Sequence, residues 1–534
     1  MSYKLCYVQF LLLLGVIVIG CAVLSGCGDA PAIVRSDSGK VLVPNSDNAT
    51  FETQQDPSEQ GVQKTRSEQA EEDYEVSELY VGWEKPQDVL VFTGRQYGYV
   101  EPCGCTGLDR QKGGLARRHS FVLGLRDRGW NVVAVDSGNQ VRRFGRQPEL
   151  KFNLTSELLT KMEYQAVGLG PEDLKLPAGE LFAVAAVDDN QQSLFISSNV
   201  AILDREFTRR FQLVETKNHR IAVASVIQDD WLKSLFSDDL VIEEAKQSLK
   251  QVASEEAFQQ ATFRILLVHG TMDFTRELAR EQKDYDLVVC AGAPGEPAYQ
   301  LEEVKGAKSR ILKVGEKSMF ASVVGIFENE IGKVSLKYQR VPLDASYSDS
   351  SKVLAMFKQY QEELQRSGFQ GLGIKPEAHP SGYQFVGSQA CAECHQEEFD
   401  VWENSTHAQA TQSLLAPHGR AEIPRQFDPE CLSCHSTGWQ PQKYVPFESG
   451  FMSLADTLLL QGNGCENCHG PGSEHVRLES DPNTSPDSLL QLRLFLQQDI
   501  NKAEQSCLEC HDLDNSPDFH HEGAFQEYWN KISH

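Results

Sequence analysis

The chain has 534 residues, with 40% hydrophobic and 24% charged side chains, too long for a single core, so two or three domains are expected. Its formal net charge of −26 argues against nucleic acid and anionic lipid as partners and favours a partner with a basic docking surface. Fourteen cysteines are too many for an ordinary cytosolic enzyme.

The N-terminus reads as an export signal. Lys4 supplies a minimal positive charge, Phe10 to Gly20 is an apolar run, and the run ends in Leu24, Ser25, Gly26 and Cys27, which resembles a bacterial lipobox. Residues 1–27 are therefore expected to be a lipoprotein signal peptide with lipidation at Cys27; an uncleaved single-span anchor is the alternative. Either reading places the rest on the periplasmic side of a bacterial membrane, where disulfides form and c-type haem is attached. Residues 28–86 are rich in Ser, Asp, Glu and Gln and nearly free of aromatics, so they are expected to be a flexible linker, with folded sequence starting near Trp83.

From 87 to 345, short β-branched runs alternate with amphipathic stretches. Val89–Phe92, Val132–Val135, Leu266–Val268 and Leu287–Val289 read as strands of a layered α/β domain. Residues 346–380 form a helical connector, periodic over Ser351–Gln365. The last domain, 381–534, carries 23 acidic and 7 basic residues and is mostly helical or irregular, with turn signals such as Gly470, Pro471 and Gly472.

Four segments of that domain repeat C-x-x-C-H: Cys391, Cys394 and His395; Cys431, Cys434 and His435; Cys465, Cys468 and His469; Cys507, Cys510 and His511. Two cysteines three apart can form thioethers to both vinyl groups of a haem, and the next histidine reaches the iron as proximal ligand. Paired C-x-x-C also makes zinc sites, but zinc does not require a histidine after every pair. Four covalently bound c-type haems are thus expected, serving as much of the core of about 150 residues. Each iron leaves a sixth position, for which His407, His418, His475, His520, His521 and His534 are candidates.

The stretches Tyr383 to Cys391, Trp402 to Ala408, Asp428 to Gly438, Gly464 to His475, Asn515 to Phe519 and Tyr528 to His534 resemble the cytochrome c-554-like multihaem family. The resemblance implies a tetrahaem electron carrier with mostly bis-histidine haems. It also implies that His407 and His475 are distal ligands, with His534 and His418 as further ones, while His520 and His521 read as surface residues.

Phe92 to Gly98 and Gly113 to Arg118 resemble the opening strand, metal loop and following segment of the periplasmic 5′-nucleotidase group of calcineurin-like metallophosphoesterases. That chemistry needs two metal ions held by Asp and His. The family's Asp-x-His is Arg95, Gln96, Tyr97 here; its Gly-Asp is Gly138, Asn139; its Gly-Asn-His-Glu is Gly170, Pro171, Glu172, Asp173; and its closing histidines are absent from Ala291 to Pro294, leaving His269. No dinuclear site and no phosphoesterase activity are expected. Cys103 and Cys105, in the replaced loop, and Cys290 are open to a disulfide, free thiols, a loop metal site or a redox-sensitive thiol.

The leading functional expectation is a lipid-anchored tetrahaem cytochrome passing electrons between redox partners. The alternatives are a haem oxidoreductase acting on a small nitrogen or sulfur compound, and a sensing lipoprotein whose α/β domain binds a ligand.

Overall fold

The computed structural model describes residues 79–102, 111–186, 193–235, 237–329, 332–415, 423–513 and 515–534. The signal sequence with Cys27, the loop holding Cys103 and Cys105, and His418 lie outside the described residues.

Alternation of apolar side chains builds the α/β region. Along the strand Asp88–Thr93, Val89 and Val91 turn to one face while Leu90 and Phe92 turn to the other, as a period of two requires. Both faces are apolar because both are covered. One six-stranded sheet runs, edge to edge, Val334–Pro342, Phe320–Glu328, Asp88–Thr93, Val132–Asp136, Tyr164–Gly168 and Phe195–Ile196. The other runs Glu302–Glu303, Arg310–Lys313, Leu287–Cys290, Phe263–His269, Arg220–Ile227 and Phe211–Glu215. Central strands of each are parallel and antiparallel strands close edges, so both sheets are mixed. All four strand runs expected from the sequence lie inside these strands.

Leu90, Phe92, Val135, Val223, Ile265 and Val289 fill the space between the sheets. Helices cover the outer faces, Leu115–Asp127 and Arg146–Lys161 on the first and Ala245–Ser254 and Met272–Glu281 on the second. The helix Ser351–Gly371 joins the first outer layer through Val353, Phe357, Tyr360 and Leu364, spaced for one helical face. Tyr80, within the stretch expected to be linker, instead packs edge-on against Trp83 and Trp130, and Trp83 stacks on Trp130, because aromatic area is better buried than exposed.

The C-terminal region is helical, with short helices including Pro429–His435, Cys465–His469, Pro486–Leu496 and Ile500–Cys510. Its only regular strands among the described residues are Trp439–Gln440 and Val445–Pro446. The polypeptide core there is small, built on Leu414, Leu432, Trp439, Phe451 and Leu460. Leu459, Leu490, Leu494, Phe495 and Ile500 remain exposed. Among the described residues no helix is long and apolar enough to cross a membrane.

Candidate haem-binding site

Each C-x-x-C-H motif lies on or at the end of a helical turn, so residues three apart project both sulfurs to one side and hand the following histidine to the next turn. Asp428 caps the second motif's helix by accepting from Glu430 N at 3.0 Å. Asp499 does the same for the fourth, accepting from Asn501 N and Lys502 N.

Three of the four motif imidazoles are oriented through Nδ1. His435 Nδ1 lies 2.9 Å from Ala410 O, His469 Nδ1 2.9 Å from Leu496 O, and His511 Nδ1 3.0 Å from Ser516 Oγ. Engaging Nδ1 in this way reserves Nε2 for a metal.

Three of the motif histidines face a second imidazole from a distant part of the chain. His395 faces His475 with ring centroids 6.3 Å apart, His511 faces His407 at 6.2 Å, and His469 faces His534 at 5.9 Å. Two metal–nitrogen bonds of about 2 Å, with about 1.1 Å from each nitrogen to its ring centre, sum to about 6 Å, so an iron fits between each pair. Burial lowers the pKa of His407, His469, His475 and His511, the last to about 4, which keeps these rings neutral as metal ligation demands. His520 and His521 are exposed; His520 Nε2 meets His511 O at 2.9 Å.

The sulfurs of different motifs are neighbours. Cys391 lies beside Cys465, and this contact together with burial pushes the Cys391 thiol up. Cys510 is raised by its contact with Cys434 and by burial, while Cys468 is pushed up to about 12 by burial and then by the nearby Cys507. The first motif thus adjoins the third, the third the fourth, and the fourth the second.

Glu466, between the cysteines of the third motif, is a structural residue the sequence reading passed over. Its buried carboxylate accepts from Val386 N, Gly387 N and Gly472 N at 2.7–3.0 Å, tying the first and third motifs together. Nothing in the motif spacing marks an intervening residue for this role. Lys151 and Arg143 of the α/β region also reach this domain, through Glu430 Oε2 at 2.6 Å and Gln442 O at 3.0 Å.

In the α/β region, the positions that correspond to phosphoesterase metal ligands hold other groups. Arg95 Nη1 donates to Ala293 O at 2.6 Å and Nη2 pairs with Glu316 at 2.6 Å. Asp136 accepts from Thr93 Oγ1, Gly138 N and Gln140 Nε2 and pairs with buried Arg118 at 3.1 Å. Asp173 accepts from the backbone N–H groups of Asn139, Gln140, Gly170 and Val141; burial pushes it up to about 7 against the pull of those bonds. His269 is fully buried against Ser137 O, and burial lowers it to about 4. Cys290 is buried and unbridged, its Sγ 3.8 Å from Gly270 O.

Residues 390–470 match the family model for cytochrome c554 and c-prime. Cytochrome c-554 of Nitrosomonas europaea is 30% identical over 98 residues, covering 16% of this chain and 39% of that protein, so the chain spans about two fifths of this relative's length. In structure, the chain is similar to a Thermus thermophilus sulfate thiohydrolase, at 13% identity and TM-score 0.45, covering 55% of this chain and 63% of that one. It is also similar to a 5′-nucleotidase precursor from Thermus thermophilus, at 15% identity and TM-score 0.45, covering 61% and 66%. The cytochrome c554 similarity therefore falls on residues 390–470 of the C-terminal region, the stretch that holds the first three C-x-x-C-H motifs, and that family implies covalently bound c-type haem.

Proposed function

We propose that residues 381–534 hold four c-type haems and that the chain passes electrons between redox partners. The observation that carries the proposal is the set of three facing imidazole pairs, His395 with His475, His469 with His534 and His407 with His511, each at the span of an iron. When bound, haem supplies one-electron iron chemistry. The chain's part is to anchor and orient. Cys391 and Cys394, Cys431 and Cys434, Cys465 and Cys468, and Cys507 and Cys510 form the thioethers. His395, His435, His469 and His511 are the proximal ligands. His475, His534 and His407 fill the sixth positions of the first, third and fourth sites, and His418 is assigned to the second. Exposed Leu490, Leu494 and Phe495 support the same reading, since apolar surface left uncovered by polypeptide suits a macrocycle. The acidic balance of residues 381–534 suits a donor or acceptor with a basic docking face.

The compartment follows from the chemistry. Thioether attachment and the lipobox ending at Cys27 together favour the periplasmic side of a membrane, with Cys27 as the lipid anchor; Cys27→Ser should leave an unprocessed precursor. The α/β region serves as a buttress rather than a phosphoesterase. Pyridine haemochrome of the denatured protein tests the proposal: four haems per chain with both vinyls saturated is the expected result, and three or fewer would overturn it.

A further inference from the structure

A cavity of about 420 Å³ opens between the α/β region and the second haem motif. Cys431, Cys434 and His435 line one side of it, while Tyr97, Arg142 and Arg143 come from the α/β region. The other charged groups in its wall are already engaged. Lys151 pairs with Glu430 at 2.6 Å, Arg425 pairs with Glu101 at 2.6 Å, and Asp428 accepts from Gln147 and Gln361. Arg142 and Arg143 have no carboxylate partner among the described residues. Both instead lie over aromatic rings: Arg143 is 3.9 Å from the centre of Tyr444, with one Nη1 N–H donated to Gln442 O at 3.0 Å, and Arg142 is 5.8 Å from that of Tyr97. A guanidinium held by its face has five edge N–H donors, so Arg143 still has others available for a planar anion beyond the one given to Gln442.

A c-type haem presents two propionate carboxylates on the edge opposite its thioethers. Two cations lacking carboxylates, in a cavity that already holds the cysteines and histidine of one site, match that demand in sign and number. We propose that Arg142 and Arg143 bind the propionates of the haem attached at Cys431 and Cys434, so that the α/β region completes one haem site of the cytochrome domain. This rests on the reading that the second motif holds a haem. Removing both cations favours the oxidised iron, so it lowers the potential of that haem alone.

The test is spectroelectrochemical titration of the full-length holoprotein. A Cys431→Ser/Cys434→Ser variant identifies which of the four components belongs to the second motif. In Arg142→Gln/Arg143→Gln that component is expected to shift roughly tenfold toward the oxidised form at fixed potential, about 59 mV for one electron, with the other three unmoved. Arg142→Lys/Arg143→Lys, which keeps both charges, should leave most of the wild-type potential in place. Four unmoved potentials overturn the proposal, as does loss of nitrite or azide binding with potentials unchanged, which would assign the arginines to a free anion. Should the double variant fail to mature, Arg142→Gln and Arg143→Gln are titrated singly, and no shift in either is equally fatal. A full haem count in Cys431→Ser/Cys434→Ser rejects the parent reading instead.

Discussion

Replacing Lys151 with Met removes the cation that ties the helix Arg146–Lys161 to the second haem motif. The Lys151 side chain is 7% exposed and its Nζ lies 2.6 Å from Glu430 Oε2, whose side chain is 29% exposed. Breaking a fully buried pair costs about 3–5 kcal/mol, and an exposed pair is worth about 1 kcal/mol or less; partial wetting of Glu430 places this one near 2 kcal/mol. For a folded unit of this size that is a fall in Tm of about 4 °C. Burial pulls the Lys151 pKa down, but Glu430 and Asp428 pull harder, so its net shift is upward. A raised lysine pKa contributes stability fully present below the ordinary lysine value and lost as pH rises through the folded-state value, so the Lys151→Met penalty should be flat from neutral pH to about 10. Thermal unfolding followed by both far-ultraviolet circular dichroism and the Soret band measures it. The double variant Lys151→Met/Glu430→Gln should lose less than Lys151→Met, because no buried carboxylate is orphaned. Strictly additive losses, or a Lys151→Met penalty under about 0.5 kcal/mol, would show that the pair does not join the two regions.

Two further outcomes concern the α/β region. The His269 pKa is lowered to about 4, so its contribution to stability is present above the unfolded value near 6.5 and lost as pH falls through 4. Between pH 7 and 4 the wild type should therefore lose about 3 kcal/mol more than His269→Gln; parallel pH profiles would contradict the buried neutral ring. Hydrolysis of nucleotide and aryl phosphates with added manganese, cobalt or zinc should be absent, since Arg95 and Asn139 stand where ligands are required and Asp136 and Asp173 are consumed as acceptors. Turnover in the ordinary range of about 1–1000 per second would refute this.

The strands were legible because Val89 to Phe92 alternates between two buried faces, and the C-x-x-C-H motifs stand out because thioether chemistry demands one spacing. His407, His475 and His534 were singled out from the six candidate histidines only through resemblance; which motif each faces depends on chain folding over long separations, which no local pattern encodes. No motif or spacing in the sequence marks Lys151, Arg142 or Arg143. Their roles emerge only once the second motif is packed beside them. Glu466 was hidden for the opposite reason, lying inside a motif whose intervening positions tolerate many residues.

The central claim is that three pairs of imidazoles each clasp one iron. Low-temperature EPR of the ferric holoprotein tests it most directly, comparing wild type with His407→Ala, His475→Ala and His534→Ala. Each substitution should convert one low-spin iron to high-spin and open it to carbon monoxide on reduction, while the haem count stays at four. If all three variants keep every iron low-spin, the facing rings are not ligand pairs and the sixth positions are filled from elsewhere.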